Sequence, residues 1–358
     1  MTAVSEPVTE SMPTIVITSP ADAIAVVPYM IGFHPSLSLV VFMISDDGRT
    51  AAGILRFDLS QEAEETAEQT TQAARLLVRN GIRQALLVGY GPGTRVTPVM
   101  DAAMQAMCSA GIGVGDALRV EDGRYWSYLC PDMTCCPPDG VAVDVSGSVP
   151  AATAVLAGMR ALPDRAALAA TLDPSSGFDQ AHGYSTMQQM CAHARQLIEE
   201  GHDWYGEGVA RVTEALDRIR DGQDLDVETV AWLGVALTSI AVRDFALTRI
   251  ERYSADVQVQ LWMEVTRKVP PAFGAAPASL LAFAALYRGD GALAGVAIER
   301  ALSADPDYRW ALLLRQAIQV GLPPAMMFGI DWGEQEDAIA AQAREYPSFA
   351  HPVLPAGW

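Results

Sequence analysis

The sequence predicts a mixed α/β domain followed by an all-helical domain. Three observations carry this reading. Up to about residue 145, β-branched and apolar runs alternate with helix-period segments. From about Val149 the strand signals stop, and helical periodicity continues to about Gly321. Within that half, "ASLLAFAALYRGDGALAGVAIERALSADPDY" has the spacing of a tetratricopeptide-like helix pair. The chain therefore reads as a disordered N-terminus over residues 1–13, a mixed sheet with flanking helices over 14–145, a helical domain over 146–323 and a C-terminal tail over 324–358.

The elements follow in order. "TIVITS" (Thr14–Ser19) is a β-branched run, and Ser19-Pro20 opens a short apolar helix, disturbed at Pro28 and stopped near Gly32. "SLSLVVFMI" (Ser36–Ile44) ends continuously apolar, as for a strand covered on both faces. Asp46-Asp47-Gly48 is a turn signal, after which "AAGILRFDL" (Ala51–Leu59) pairs back. Next, Ser60 can cap a helix with Glu62, Glu64 and Glu65 at its start, Arg75 and Arg79 near its end, and Gly81 as its stop; that charge order complements the helix dipole. "QALLVGY" is another strand, and Thr97-Pro98 then opens a helix with Met100, Ala103, Met104 and Met107 on one face.

In "DALRVEDGRYWSYLC", Asp122-Gly123 between two alternating runs is the two-residue hairpin signal. That loop sets the register: Glu121 faces Arg124, Val120 faces Tyr125, Arg119 faces Trp126 and Leu118 faces Ser127. One face then carries Leu118, Val120, Tyr125, Ser127 and Leu129, which suits a core. The other carries Arg119, Glu121, Arg124, Trp126, Tyr128 and Cys130. Beyond the hairpin, "TAVLAGMRALPDRAALAATL" reads as two short helices and "DPSSGFDQAHG" as a loop. In the helix pair, Leu281, Ala282, Gly289, Asp290, Ala294, Ile298, Ala301 and Pro306 carry the spacing; the small residues among them let two helices approach closely, and Gly289-Asp290 makes the turn. Ala278 stands where such a pair usually has a large aromatic, and no second copy is readable about 34 residues upstream.

Composition narrows the function classes. The chain has 358 residues, half of them hydrophobic, which is ample for two cores. The 24 basic and 43 acidic residues give a net charge of −19, which repels phosphate backbones and anionic lipids. Lys268 is the single lysine. No apolar run reaches the ~18 residues of a membrane span, and the first residues, "MTAVSEPVTESMP", lack the positive start of an export signal. The five cysteines, Cys108, Cys130, Cys135, Cys136 and Cys191, are an odd count and are read as reduced thiols of a cytoplasmic protein.

The stretches "PYMIGFHPSLSLVVF", "LRFDL", "DALRVEDGRYWSYLC…CCPPDG" and "LLAFAALYRGDGALAGVAIERALSADPDYRWALLL" together resemble an uncharacterised actinobacterial family, the domain of unknown function DUF4192. The resemblance runs from about Ser19 to Pro324. It implies no established activity and no assigned catalytic residue, and the glycines of "GYGPG" lie outside its pattern.

Candidate sites are read from the residues themselves. No cofactor is expected from the sequence, with zinc as the alternative and Cys130, Cys135 and Cys136 as its candidate ligands. Paired zinc cysteines commonly stand about two to four residues apart, and Cys130-x4-Cys135 sits at the edge of that range. A fourth ligand has to come through the fold, from Asp132, His34 or Cys108. The same thiols also fit a redox switch or a buried, inert loop. His34 sits in a turn before a central strand. In open α/β sheets ligands favour the carboxyl ends of the strands, so His34 lies away from that crevice unless its strand runs antiparallel to its neighbours.

Arg56 and Asp58 share one face of a strand, as an ion pair or as an anion clamp. With His34 they form the catalytic candidates for an enzyme acting on a small anionic substrate. Arg119, Arg124, Trp126 and Tyr128 form a basic and aromatic stripe, read either as a ligand-binding surface or as a solvent face with Arg119 stacked on Trp126. Gly89, Gly91 and Gly93 lack the rest of a phosphate loop and read as a turn. His182, His193 and His202 lack the spacing of a helical metal pair. The leading expectation is a binding or interaction protein, with a protein or peptide partner in preference to nucleic acid and no membrane. The alternatives are the enzyme and the zinc protein.

Overall fold

The computed structural model describes residues 15–143, 147–174, 180–319 and 330–358. The N-terminal stretch 1–13, most of the loop before the long helices and the start of the expected tail, residues 320–329, lie outside them, as does the side chain of His182. The chain divides into two compact units, Met1–Leu168 and Ala169–Trp358.

The first unit is a mixed six-stranded sheet with helices on both faces. Helix α1 (Pro20–Ile31) starts where Ser19 Oγ accepts the Asp22 N–H at 3.1 Å and ends at Gly32, which has φ +81°. The strands are β1 (Ser38–Ile44), β2 (Ala51–Asp58), β3 (Gln84–Tyr90), β4 (Gly113–Glu121), β5 (Arg124–Ser127) and β6 (Val141–Ala142), in the spatial order β2-β1-β3-β4-β5-β6. β1 is antiparallel to both neighbours, whereas β3 and β4 are parallel. Helix α3 (Gly93–Ser109) makes the crossover that a parallel pair requires. The β4–β5 hairpin has the expected register, from Leu118↔Ser127 to Glu121↔Arg124.

Strand alternation separates two cores. Leu39, Val41, Ala85, Leu87 and Ala117 pack under α3 and α2 (Ala63–Arg79), with Ala73, Leu77, Met100, Ala103 and Met107 opposite them. The other face carries buried Val40, Phe42, Val88 and Leu118, on the side of α1 and α4 (Val149–Leu156), which pack on each other.

Three expectations are corrected. The run at 15–19 forms a single bridge, Val16↔Thr50, because the chain turns into α1 at once. Helix α3 begins one turn before Thr97-Pro98, at Gly93, and Pro98 lies inside it. Leu129 is exposed, since β5 ends at Ser127 and the alternation ends with it.

The second unit is helical. After α5 (Arg165–Ala170), at the junction of the units, come α6 (Gln180–Glu199), α7 (Trp204–Arg220), α8 (Val227–Ala236), α9 (Ile240–Thr248) and α10 (Ala255–Lys268). They are followed by α11 (Ala275–Arg288), α12 (Gly291–Ala304), α13 (Arg309–Gln319), α14 (Trp332–Glu345) and α15 (Pro347–Ala350). α11 and α12 form the expected close pair, turned by Gly289 at φ +86° and capped by Asp290, which accepts the Leu293 N–H at 2.9 Å. Every residue from Ala275 to Ala285 is buried, so α11 is a core helix surrounded on all sides. The C-terminal residues pack into this unit: Trp332 meets Phe283 edge-on, and Trp358 stacks on Tyr184. Among the described residues no single helix is long and apolar enough to cross a membrane.

Candidate functional site

The cysteine loop, residues 128–140, joins β5 to β6 and is held at both ends by the hairpin. At its start, Ser127 Oγ accepts the N–H groups of Leu129 and Cys130 and donates to Asp116 Oδ1 at 2.6 Å. In its middle, Asp132 Oδ1 accepts the Thr134 N–H at 2.8 Å, and the Asp132 carbonyl accepts the Cys136 N–H at 2.7 Å. At its end, Trp126 Nε1 donates to the Pro138 carbonyl at 2.8 Å, while Arg124 donates to the carbonyls of Asp139 and Gly140 at 2.6 and 2.8 Å.

These bonds bring the three thiols together. The sulfurs of Cys130, Cys135 and Cys136 all lie within 4.8 Å of one another. Cys135 is exposed and the other two are half-buried. Burial, together with the Cys130 and Cys135 thiols beside it, pushes the Cys136 thiol up to about 12. The group could hold a metal ion, and among the described residues it comprises these three ligands. Of the expected fourth ligands, Asp132 is engaged in the loop turn described above, Cys108 is exposed at the end of α3, and His34 lines a separate cavity.

The basic and aromatic stripe is built into the same framework. The Arg119 guanidinium lies 3.7 Å from the centre of the Trp126 ring, which is the stacking expected from the register, and Arg119 is ion-paired to Glu121. Tyr128 shares a 2.8 Å hydrogen bond with Thr97 of α3. Arg124 and Trp126 hold the cysteine loop. All four residues are thus engaged by other parts of the chain.

The three catalytic candidates are divided. Arg56 is ion-paired to Asp58 and sits 5.4 Å from the Phe33 ring centre. His34 lines a cavity with Tyr29, Tyr90 and Ala151, and neither Arg56 nor Asp58 lines it. Because β1 runs antiparallel to β3, His34 stands at the carboxyl end of β3 and β4. Two bonds with Leu162 hold its turn: the His34 N–H donates to the Leu162 carbonyl at 2.9 Å, and the Leu162 N–H donates to the Gly32 carbonyl at 2.8 Å. Sequence reasoning missed Tyr90 here, since it reads only as the last residue of a strand. Gly89 lies against Val96 of α3, and Gly91 has φ +133°, so these glycines serve the tight strand-to-helix turn.

Residues 20–325 match the family described as Domain of unknown function (DUF4192). No curated protein and no solved structure matches the chain.

Proposed function

The chain belongs to the DUF4192 family, whose description assigns no activity, and from its own residues we propose that it binds a zinc ion through Cys130, Cys135 and Cys136. The observation that carries the reading is the convergence of three sulfurs within 4.8 Å. Zinc–sulfur bonds of about 2.3 Å at tetrahedral angles put ligand sulfurs about 3.8 Å apart, so a small contraction of the loop completes the triangle. Thiolates are the soft ligands that select zinc over magnesium or calcium. An ion there also reverses the raised pKa of Cys136, because a coordinated thiol gives up its proton.

Three protein ligands leave one coordination position for water or an exogenous group, as in catalytic rather than structural zinc sites. Hydrogen bonds made by Arg124, Trp126, Ser127 and Asp132 hold the loop at its start, middle and end, independently of the thiols. Such a site fills and empties without unfolding the domain, unlike a zinc finger. The reading takes the thiols as reduced, as in the cytoplasm.

The test is native mass spectrometry of the full chain in reducing buffer after zinc addition and desalting, set against the denatured mass. One zinc per chain, lost in Cys135→Ser, is the expected result. An unmetallated mass for the wild type, or zinc retained by Cys135→Ser, overturns the reading.

A further inference from the structure

A second feature, independent of the thiols, lies on the α1 and α4 side of the sheet. At the carboxyl edge of β3 and β4, Ser38 stands opposite Tyr90, and Tyr90 stands beside Val120. Crevices of this kind, outside the carboxyl ends of parallel strands, are where open α/β sheets place ligands. Here a cavity of about 290 Å³ opens, walled by Ile24, Pro28 and Tyr29 of α1, His34 of the following turn, Tyr90 of β3 and Ala151 of α4.

Among the described residues, two hydroxyls at this edge have no hydrogen-bond partner, and of the two Tyr90 lines the cavity. Ser38 Oγ and Tyr90 Oη are both buried and unpaired, and their residues are 0% and 7% exposed. Burial raises the pKa of Tyr90, so its hydroxyl keeps its proton and remains a donor. Native chains pair nearly all such buried groups, so the unpaired hydroxyl of Tyr90, a residue of the cavity wall, points to an occupant. The backbone beside them is strained: Leu37, a bulky residue between His34 and Ser38, has φ +42°. Outliers of that kind concentrate at ligand sites.

The lining also defines the chemistry. Among the described residues the lining contains no Asp, Glu, Lys or Arg. An anion finds no permanent cation and meets the field of a chain carrying −19. A cation finds no carboxylate. The walls are apolar and aromatic, and the volume lies at the small end of the range for ligand pockets, about 300–1,000 Å³.

We propose that this cavity binds a small uncharged ligand, of one or two rings, that carries a hydrogen-bond acceptor for the Tyr90 hydroxyl. His34 stands at the mouth, exposed, where it can take a second polar group of the ligand. The site needs no metal, so it stands or falls apart from the zinc reading.

The test uses the full chain and benzamide as the probe, with benzoate and benzylammonium as charged molecules of similar size, in ligand-observed NMR and calorimetric titration. Benzamide is expected to bind at least about fivefold more tightly than either ion. Tyr90→Phe removes only an unpaired hydroxyl, so it is expected to keep the fold and weaken benzamide about fivefold, the equivalent of one hydrogen bond. His34→Ala, at an exposed position, is expected to weaken it as well. Ala151→Leu is expected to fill the cavity and abolish binding. Circular dichroism checks the fold of each variant. Absence of benzamide binding up to its solubility limit overturns the proposal. So does equal binding of benzoate, or benzamide binding unchanged in Tyr90→Phe and His34→Ala.

Discussion

Trp126 and Gly140, at opposite ends of the cysteine loop, are in direct contact. A Cβ on Gly140 would sit 2.6 Å from Trp126 Cε2 and 2.8 Å from Cζ2. Gly140 also has φ +73°, where L side chains are strained. The ring that requires this glycine is itself positioned by Arg119, which stacks on it, and by the Pro138 carbonyl, which accepts its N–H. The geometry of the three thiols therefore depends on one aromatic ring and one residue without a side chain.

Gly140→Ala is the sharpest test of that dependence. The new methyl has to displace either the Trp126 ring or the loop, and the backbone stays strained in both cases. The expected cost is about 1–3 kcal/mol in urea unfolding, with weaker zinc retention by the same protein. Gly123→Ala is the control: it has a similar positive φ, +71°, but nothing within 4 Å of the new methyl. Equal effects of the two substitutions on zinc retention would show that the Trp126 contact does not set the thiol geometry.

The helix pair tests the other unit. Gly289 ends α11 at φ +86°, and a Cβ there meets nothing within 4 Å. The penalty of Gly289→Ala is then conformational alone, about 1 kcal/mol. Asp290→Ala removes the cap on the Leu293 N–H and the partner of Arg288 Nη2, for a similar loss of about 1 kcal/mol. Ala282→Leu is different in kind. Ala282 is fully buried in a helix surrounded on all sides, so the added volume has no free space, and a loss of about 1–3 kcal/mol is expected. Chemical denaturation of the three variants checks the order.

What the sequence made legible was local. Ser19, Pro20 and Gly32 set the limits of α1, Asp122-Gly123 set the hairpin register, and Gly289-Asp290 marked the turn between α11 and α12. Each is a short-range consequence of capping, turn chemistry or side-chain size. The cysteine cluster was visible as composition, but the folded loop decides that its sulfurs meet. The position of His34 was legible only as a condition on strand direction. It depends on the direction of β1 relative to β3, a pairing between residues some fifty positions apart that no local pattern encodes. The unpaired hydroxyls of Ser38 and Tyr90 come from the same pairing. Arg56 and Asp58 read as a pair in preference to an anion clamp, and the structure brings them to each other.

The C-terminal segment is fastened to the helical unit by a charge pair. Arg249 is 4% exposed, follows α9, and is ion-paired to Glu336 of α14; it also donates to Thr248 Oγ1 at 2.9 Å. Glu336→Ala leaves that guanidinium buried without a counter-charge, and such a loss costs about 3 kcal/mol. The expected result is a lower urea midpoint and faster proteolytic cleavage between residues 320 and 345. A midpoint within experimental error of the wild type would show that Arg249 does not depend on this pair.

Asp226 gives the helical unit an acid-sensitive element. Its Oδ1 accepts the Thr229 N–H at 2.7 Å at the start of α8, and its Oδ2 pairs with Arg218 at 3.1 Å. The Thr229 backbone N–H, more than Arg218, holds this carboxyl at about 2, below the ordinary 3.8. The folded state thus binds the proton less readily than the unfolded state. The stabilisation is fully present above pH 4 or so and fades as pH falls from about 4 towards 2. Asn caps helices about as well as Asp but cannot titrate. Asp226→Asn is therefore expected to be slightly less stable than the wild type at pH 7, having lost the pair with Arg218, and to close that gap by pH 2. Urea unfolding of both proteins across this range reads the difference directly, and other carboxylates cancel in the comparison. A gap that stays constant from pH 7 to pH 2 would mean that Asp226 titrates like a free carboxyl and that its cap contributes nothing specific to the charged form.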